Sequence, residues 1–106
     1  MADDFFAAAC VLGAAVPRSA APDLLKVAGR ALINGVEAGQ GTGADVLGHP
    51  HHALAWLANH LAASGNGLRA GAIVLTGSLV KTIWLDAGDE VVMELARLGT
   101  VAATFR

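Results

Sequence analysis

The chain has 106 residues, at most one domain, with 15% charged and 55% hydrophobic residues and a formal net charge of −2. Its seven Lys and Arg are scattered rather than clustered, which excludes the electrostatic footprint of a nucleic-acid binder. A single cysteine, Cys10, excludes a disulfide framework within one chain and fits a reducing compartment.

The charge content is low beside the roughly 25% of an ordinary soluble domain. A chain of this size buries roughly 60–70% of its unfolded surface. Part of its apolar surface is therefore expected to meet another chain, or another part of its own protein. A second explanation stays open: an Ala- and Gly-rich composition is apolar by count yet only weakly hydrophobic per residue. Residues 5–16 form an apolar run, but the flank before it carries Asp3 and Asp4, the wrong sign for a signal peptide. The run is also too short to cross a bilayer. The expectation is a soluble, cytoplasmic protein that engages neither membrane nor nucleic acid.

In chain order, residues 8–16 read as a buried strand stopped by Pro17, with Cys10 as a small buried hydrophobe. Residues 18–23 form a Pro-containing connection. Two runs, 26–33 and 36–38, flank Asn34-Gly35, a dipeptide that tolerates positive φ at both turn positions and so signals a two-residue hairpin. Residues 39–48 carry four glycines and read as a loop. Pro50 suits the first turn of a helix. Leu54, Leu57, Ala58 and Leu61 then share one helical face, and Gly65 is placed to end the helix in the left-handed conformation. Trp56 lies off that face, near His52, Asn59 and His60. It reads either as a second contact surface or as a Trp lying over its own helix. Ile73, Val74 and Leu75 read as a strand buried on both faces, and residues 86–89 as a turn. Val91, Met93 and Leu95 alternate with Glu90, Val92 and Glu94 as a half-buried strand, and Val101, Ala103 and Phe105 alternate in a last one. No regular βαβ rhythm is present, so the fold class is α+β, as a single domain over 1–106.

Few constellations carry chemistry on their face. Gly39-Gln40-Gly41-Thr42-Gly43 lacks the Lys-Ser/Thr of a phosphate loop and the glycine spacing of a dinucleotide site. It reads as a tight turn with close backbone approach to the helix, or as a lining of a substrate pocket. His49, His51, His52 and His60 lack the i, i+4 spacing and the acidic third ligand of a helical zinc site, and read as helix-start and surface residues. Thr76-Gly77-Ser78 follows an apolar run. Its hydroxyls and backbone could hold a carboxylate or enolate oxygen, or simply satisfy a turn; Lys81 lies three residues on. Asp3 and Asp4, adjacent in sequence, point to opposite faces if extended. Glu90 and Glu94 are about 13 Å apart along a strand, too far for joint catalysis, and read as solvated.

Order and spacing of short pieces nonetheless carry a resemblance. Gly43-Ala44-Asp45-Val46-Leu47-Gly48-His49-Pro50, followed by residues 53–59 and then Leu75-Thr76-Gly77-Ser78-Leu79, resembles the fumarylacetoacetate hydrolase superfamily. The resemblance is to its 2-keto-4-pentenoate hydratase and 4-oxalocrotonate decarboxylase branch. Ala2-Asp3-Asp4-Phe5, Val11-Leu12-Gly13, Asn34-Gly35, Ala70-Gly71, Ala87-Gly88-Asp89 and Leu98-Gly99 extend it over nearly the whole chain. Ala72 departs from it, standing where relatives usually place an acid. The resemblance implies the C-terminal part of that fold: a mixed, mostly antiparallel sheet rolled into a partial barrel with one main helix at about 50–64. It implies a lyase acting on 2-oxo acids of aromatic catabolism, with Thr76, Gly77 and Ser78 as substrate contacts. It also implies magnesium, whose glutamate ligands lie in the family upstream of this stretch; no Glu-x-Glu pair occurs here. The expected partners are a small 2-oxo acid and either further copies of the chain or a missing N-terminal half. The alternative is a non-catalytic fragment or oligomer-forming binding module of the same fold.

Overall fold

A computed structural model describes residues 9–106; Asp3, Asp4 and the Ala2–Phe5 resemblance lie outside the described residues. Local chemistry accounts for the first hairpin. Strand β1 (Ala28–Ile33) turns into β2 (Val36–Thr42) through Asn34 and Gly35, both left-handed at φ 52° and 82°, as the dipeptide predicts. β2 runs on to Thr42, so the glycines at 39 and 41 belong to a strand rather than to the expected loop. A bulge accommodates the extension: Ala31 pairs with Gly39 but Leu32 with Glu37, leaving Ala38 as the extra residue.

β3 (Glu90–Leu95) and β4 (Gly99–Thr104) form a second antiparallel hairpin. β3 pairs with β1, giving one antiparallel four-stranded sheet in the order β2-β1-β3-β4. The sheet is open, so it does not by itself show the rolled barrel. Register sorts the side chains into two faces. Ala31, Met93 and Val101 share a row, as do Ile33, Val91 and Ala103; this is the apolar face, with Ala31 only 1% exposed. Gln40, Arg30, Glu94 and Thr100 share a row on the other face.

Helix α1 spans Pro50–Ala63, one residue short of expectation. The left-handed Leu47 and Gly48 turn the chain into it, and the His49 Nδ1 accepts from the His51 N–H at 3.0 Å to cap it. At its end Gly65 donates to Ala62 O and Asn66 to Leu61 O, a Schellman motif with Gly65 at φ 80°. The expected face, Leu54, Leu57, Ala58 and Leu61, is half-buried. Trp56 instead stacks on His60, with ring centroids 4.9 Å apart and planes 7° from parallel. It thus lies over its own helix, with half its surface exposed.

Two expected strands do not form. Residues 9–16 are irregular coil, and 73–75 carry no ladder, with Ile73 and Leu75 64% and 67% exposed. An apolar run becomes a strand only where a neighbour takes up its backbone hydrogen bonds. The first run instead passes β4 by packing, Gly13 lying against Val101. Cys10 is accordingly exposed rather than buried.

Packing is thin. Among the described residues the buried hydrophobic side chains are Val27, Ala31 and Val46. Trp84 is 88% exposed. The radius of gyration is 14.8 Å, against about 13 Å for a compact domain of this length. The chain therefore leaves apolar surface that its own described residues do not cover, as its low charge content foreshadows.

Candidate functional site

The glycine-bearing strand and the Thr76-Gly77-Ser78 turn, far apart in sequence, meet in space. The cause is the absence of side chains at Gly39 and Gly41 of β2 and at Gly43 just beyond it. An ideal Cβ on Gly41 would stand 1.9 Å from the Leu79 carbonyl oxygen, and one on Gly43 would stand 1.6 Å from that of Leu24. Only glycine permits either approach. Gly43 N–H and Ala44 N–H donate to Val27 O and Leu25 O, and the Thr42 N–H donates to Asp45 Oδ2 at 2.7 Å. The segment is thereby locked against residues 24–27, and Val46 enters the core. Close backbone approach is thus what these glycines provide, toward residues 24 and 79 rather than toward the helix.

Within the turn, Gly77 is left-handed at φ 121°, and its α-carbon side faces Val46, whose Cγ1 lies 3.5 Å from an ideal Cβ position there. Ser78 Oγ donates to Val80 O at 2.6 Å and accepts from Val80 N–H at 3.2 Å. Its single proton is therefore committed to its own backbone. Thr76 is half-buried, and its hydroxyl makes no hydrogen bond within the described residues. Of the two expected hydroxyls, Ser78 is thus bound to its own backbone, and Thr76 has no such partner among the described residues. Lys81 is exposed.

The remaining candidates separate from this turn. His49, His51 and His52 cluster at the helix start, the His49 ring lying 4.8 Å from that of His51 and 5.8 Å from that of His52. His52 Nδ1 donates to Leu47 O at 2.9 Å, so backbone contacts occupy this group. No group of three His, Cys, Asp or Glu side chains among the described residues could hold a metal ion. The described donor set does not fit magnesium.

A groove of about 320 Å³ runs along the polar sheet face, lined by Arg30, Gln40, Glu94 and Thr100 among others. Residues 76–78 lie outside it. Arg30 Nε donates to Glu94 Oε2 at 2.5 Å, and Glu37 lies 3.9 Å from the guanidinium. The hydrogen bond and charge of Glu94 hold the Arg30 guanidinium above its ordinary value. Glu94, expected to be solvated, is thus paired. With two carboxylates about it, Arg30 offers little charge to an anion. Sequence reading missed both this pair and the seat under the turn. The signal for the seat was the alternation Gly39, Gly41, which strips one strand face of side chains.

Comparison with known proteins adds the family. The family model described as fumarylacetoacetate (FAA) hydrolase C-terminal matches residues 2–106. A 2-hydroxyhexa-2,4-dienoate hydratase from Comamonas testosteroni is 38% identical over 99% of this chain and 40% of its own length. A 2-keto-4-pentenoate hydratase from Burkholderia vietnamiensis is 36% identical over the same shares. The 4-oxalocrotonate decarboxylase from Pseudomonas putida G7, solved with magnesium and adipate, superimposes with a TM-score of 0.77 at 35% identity. That match covers 80% of this chain and 32% of the decarboxylase. The same enzyme was also solved with calcium and acetate. The chain spans at most about 40% of the length of these relatives. It belongs to the fumarylacetoacetate (FAA) hydrolase C-terminal family.

Proposed function

We propose that this chain forms one wall of a site that hydrates or decarboxylates small 2-oxo acids of aromatic catabolism. Thr76, Gly77 and Ser78 are its contribution to substrate contact. The observation that carries the reading is the turn itself. It leads directly into Leu79 and Val80, which lie against the Gly39 and Gly41 positions of β2, it rests against buried Val46, and among the described residues the Thr76 hydroxyl has no partner. A fixed donor aimed at an oxygen where negative charge develops lowers the barrier to an enolate-like species, because it need not reorganise as the charge appears. In this reading Thr76 donates to the substrate, Gly77 allows the ligand close to the backbone, and Ser78 holds the turn's shape.

Magnesium enters the proposal from the relatives, one of which was solved with that ion. A divalent ion can polarise a 2-oxo acid; its ligands would come from outside the described residues. The rolled barrel is part of the same reading, with the open sheet as one section of it. The uncovered apolar surface supports completion by further copies of the chain or by an N-terminal half, in a cytoplasmic setting. Among the described residues no helix is long and apolar enough to cross a membrane.

Isothermal titration with oxalate, a planar 2-oxo-acid mimic, with and without magnesium, tests the proposal. Magnesium-dependent binding is the expected result and would mean a complete site, assembled between chains if need be. No binding under either condition would overturn it in favour of a non-catalytic scaffold or oligomer-forming module.

A further inference from the structure

We infer that Gly41 is a positioning residue: with Gly39 beside it on β2, it sets the height at which the Thr76-Gly77-Ser78 turn sits over the sheet, without touching a ligand itself. The inference rests on the functional reading above.

Gly29 and Gly41 are direct cross-strand partners, and Gly39 opposes Ala31 in the same ladder. Leu79 and Val80 lie on the floor these glycines make. The three glycines meet them differently. A Cβ on Gly29 would stand 2.7 Å from Leu95 Cδ2 and 2.8 Å from Leu79 Cδ1, and one on Gly39 would stand 3.3 Å from Val80 Cβ. All of these obstacles are side chains. A Cβ on Gly41 would stand 1.9 Å from the Leu79 carbonyl oxygen and 2.9 Å from its carbon. That obstacle is backbone and cannot rotate out of the way. Real Cβ contacts essentially never fall under 3.0 Å, so a side chain at 41 must lift Leu79 by about an ångström.

The lift has a short route to the site. Leu79 follows Ser78 directly, and the two hydrogen bonds between Ser78 Oγ and the Val80 backbone tie 78–80 into one unit. Displacing Leu79 therefore moves Ser78 and the turn with it. A misplacement of about 1 Å can cost as much as ~100-fold where donors must meet a defined oxygen.

The test compares ¹⁵N-labelled wild type with Gly41→Ala, reading amide resonances and oxalate affinity in the presence of magnesium. The expected result is displaced resonances at Thr76, Gly77 and Ser78, unmoved ones at the Asn34-Gly35 turn, and oxalate binding weaker by about tenfold or more. Gly29→Ala is the control: its obstacles are the Leu95 and Leu79 side chains, so Leu79→Ala should recover part of its loss, and should recover none for Gly41→Ala. Unmoved resonances at 76–78, rescue of Gly41→Ala by Leu79→Ala, or moved resonances with unchanged oxalate affinity would each overturn the inference. Should Gly41→Ala fail to fold, the milder Gly39→Ala is read at the same resonances, movement supporting the seat and its absence overturning it. A wild-type chain that binds no oxalate overturns the functional reading instead, and the amide displacements then decide by themselves whether Gly41 holds the turn.

Discussion

Asn34 and Asp89, 55 residues apart in sequence, clasp the two hairpins together: Asn34 Nδ2 donates to Asp89 Oδ1 at 2.9 Å, and Asn34 Oδ1 accepts from the Glu90 N–H at 3.0 Å. One residue therefore serves as a left-handed turn position and as the pin between β1 and the start of β3. Replacement separates the two duties. Asn34→Gly keeps the turn and loses the pin, whereas Asn34→Ala loses both and pays about 1 kcal/mol more for its positive φ. Urea unfolding should rank stability as wild type, then Gly, then Ala; an alanine variant as stable as the glycine one would contradict this account.

The same clasp makes stability depend on acid. The Asp86 N–H and the Asn34 amide both donate to the Asp89 carboxylate and hold it below the usual carboxylate range. A depressed folded-state value stabilises the fold above the unfolded carboxylate value, near 3.9. That contribution is lost as pH falls through Asp89's own lower value. Thermal midpoints followed from about pH 5 to about pH 2 should drop less steeply in Asp89→Asn than in wild type. Parallel curves would remove Asp89 from the account.

Glycines here are not equivalent, and alanine substitution should sort them. Gly43→Ala drives a Cβ into the Leu24 carbonyl and is expected to cost about 2 kcal/mol or more. Gly67 has open space about its Cβ position and no positive φ, so Gly67→Ala should be neutral or stabilising by up to about 1 kcal/mol through the unfolded chain. Denaturant midpoints measured on both variants give the comparison, and equal effects would refute it.

At the start of α1 an imidazole does the work more often given to Asn, Asp or Ser. His49→Asn should hold stability close to wild type, since its amide oxygen can accept from the His51 N–H. His49→Ala should lose about 1 kcal/mol. Helical circular dichroism through a urea titration distinguishes the two, and an alanine variant indistinguishable from wild type would mean that the cap contributes nothing.

The two hydroxyls of the candidate site should also separate. Thr76→Val keeps shape and removes a donor, so oxalate binding should weaken by about tenfold, ~1.4 kcal/mol, with the unfolding midpoint little changed. Ser78→Ala should loosen the turn and lower stability alongside affinity, because its proton serves Val80. Calorimetry on both variants, beside their unfolding curves, checks the division of roles; an unchanged affinity in Thr76→Val would strike Thr76 from the site.

Where structure rests on neighbours in sequence, the amino-acid order alone determined it. Asn34-Gly35 allows positive φ twice, Pro50 and Gly65 bracket a run with one apolar face, and residues 90–95 alternate, so hairpin, helix and half-buried strand follow from local sterics and periodicity. Tertiary structure decided what depends on distant partners. Residues 9–16 and 73–75 are apolar enough for strands, yet among the described residues they form no ladder with a neighbouring strand, and they remain coil. Glu94 finds Arg30 across a ladder whose register no single strand contains. Gly41 is an ordinary flexible residue in the sequence. It becomes the floor beneath residues 76–79 only once the Leu79 backbone is brought against it, because a missing side chain acquires meaning from what fills its space.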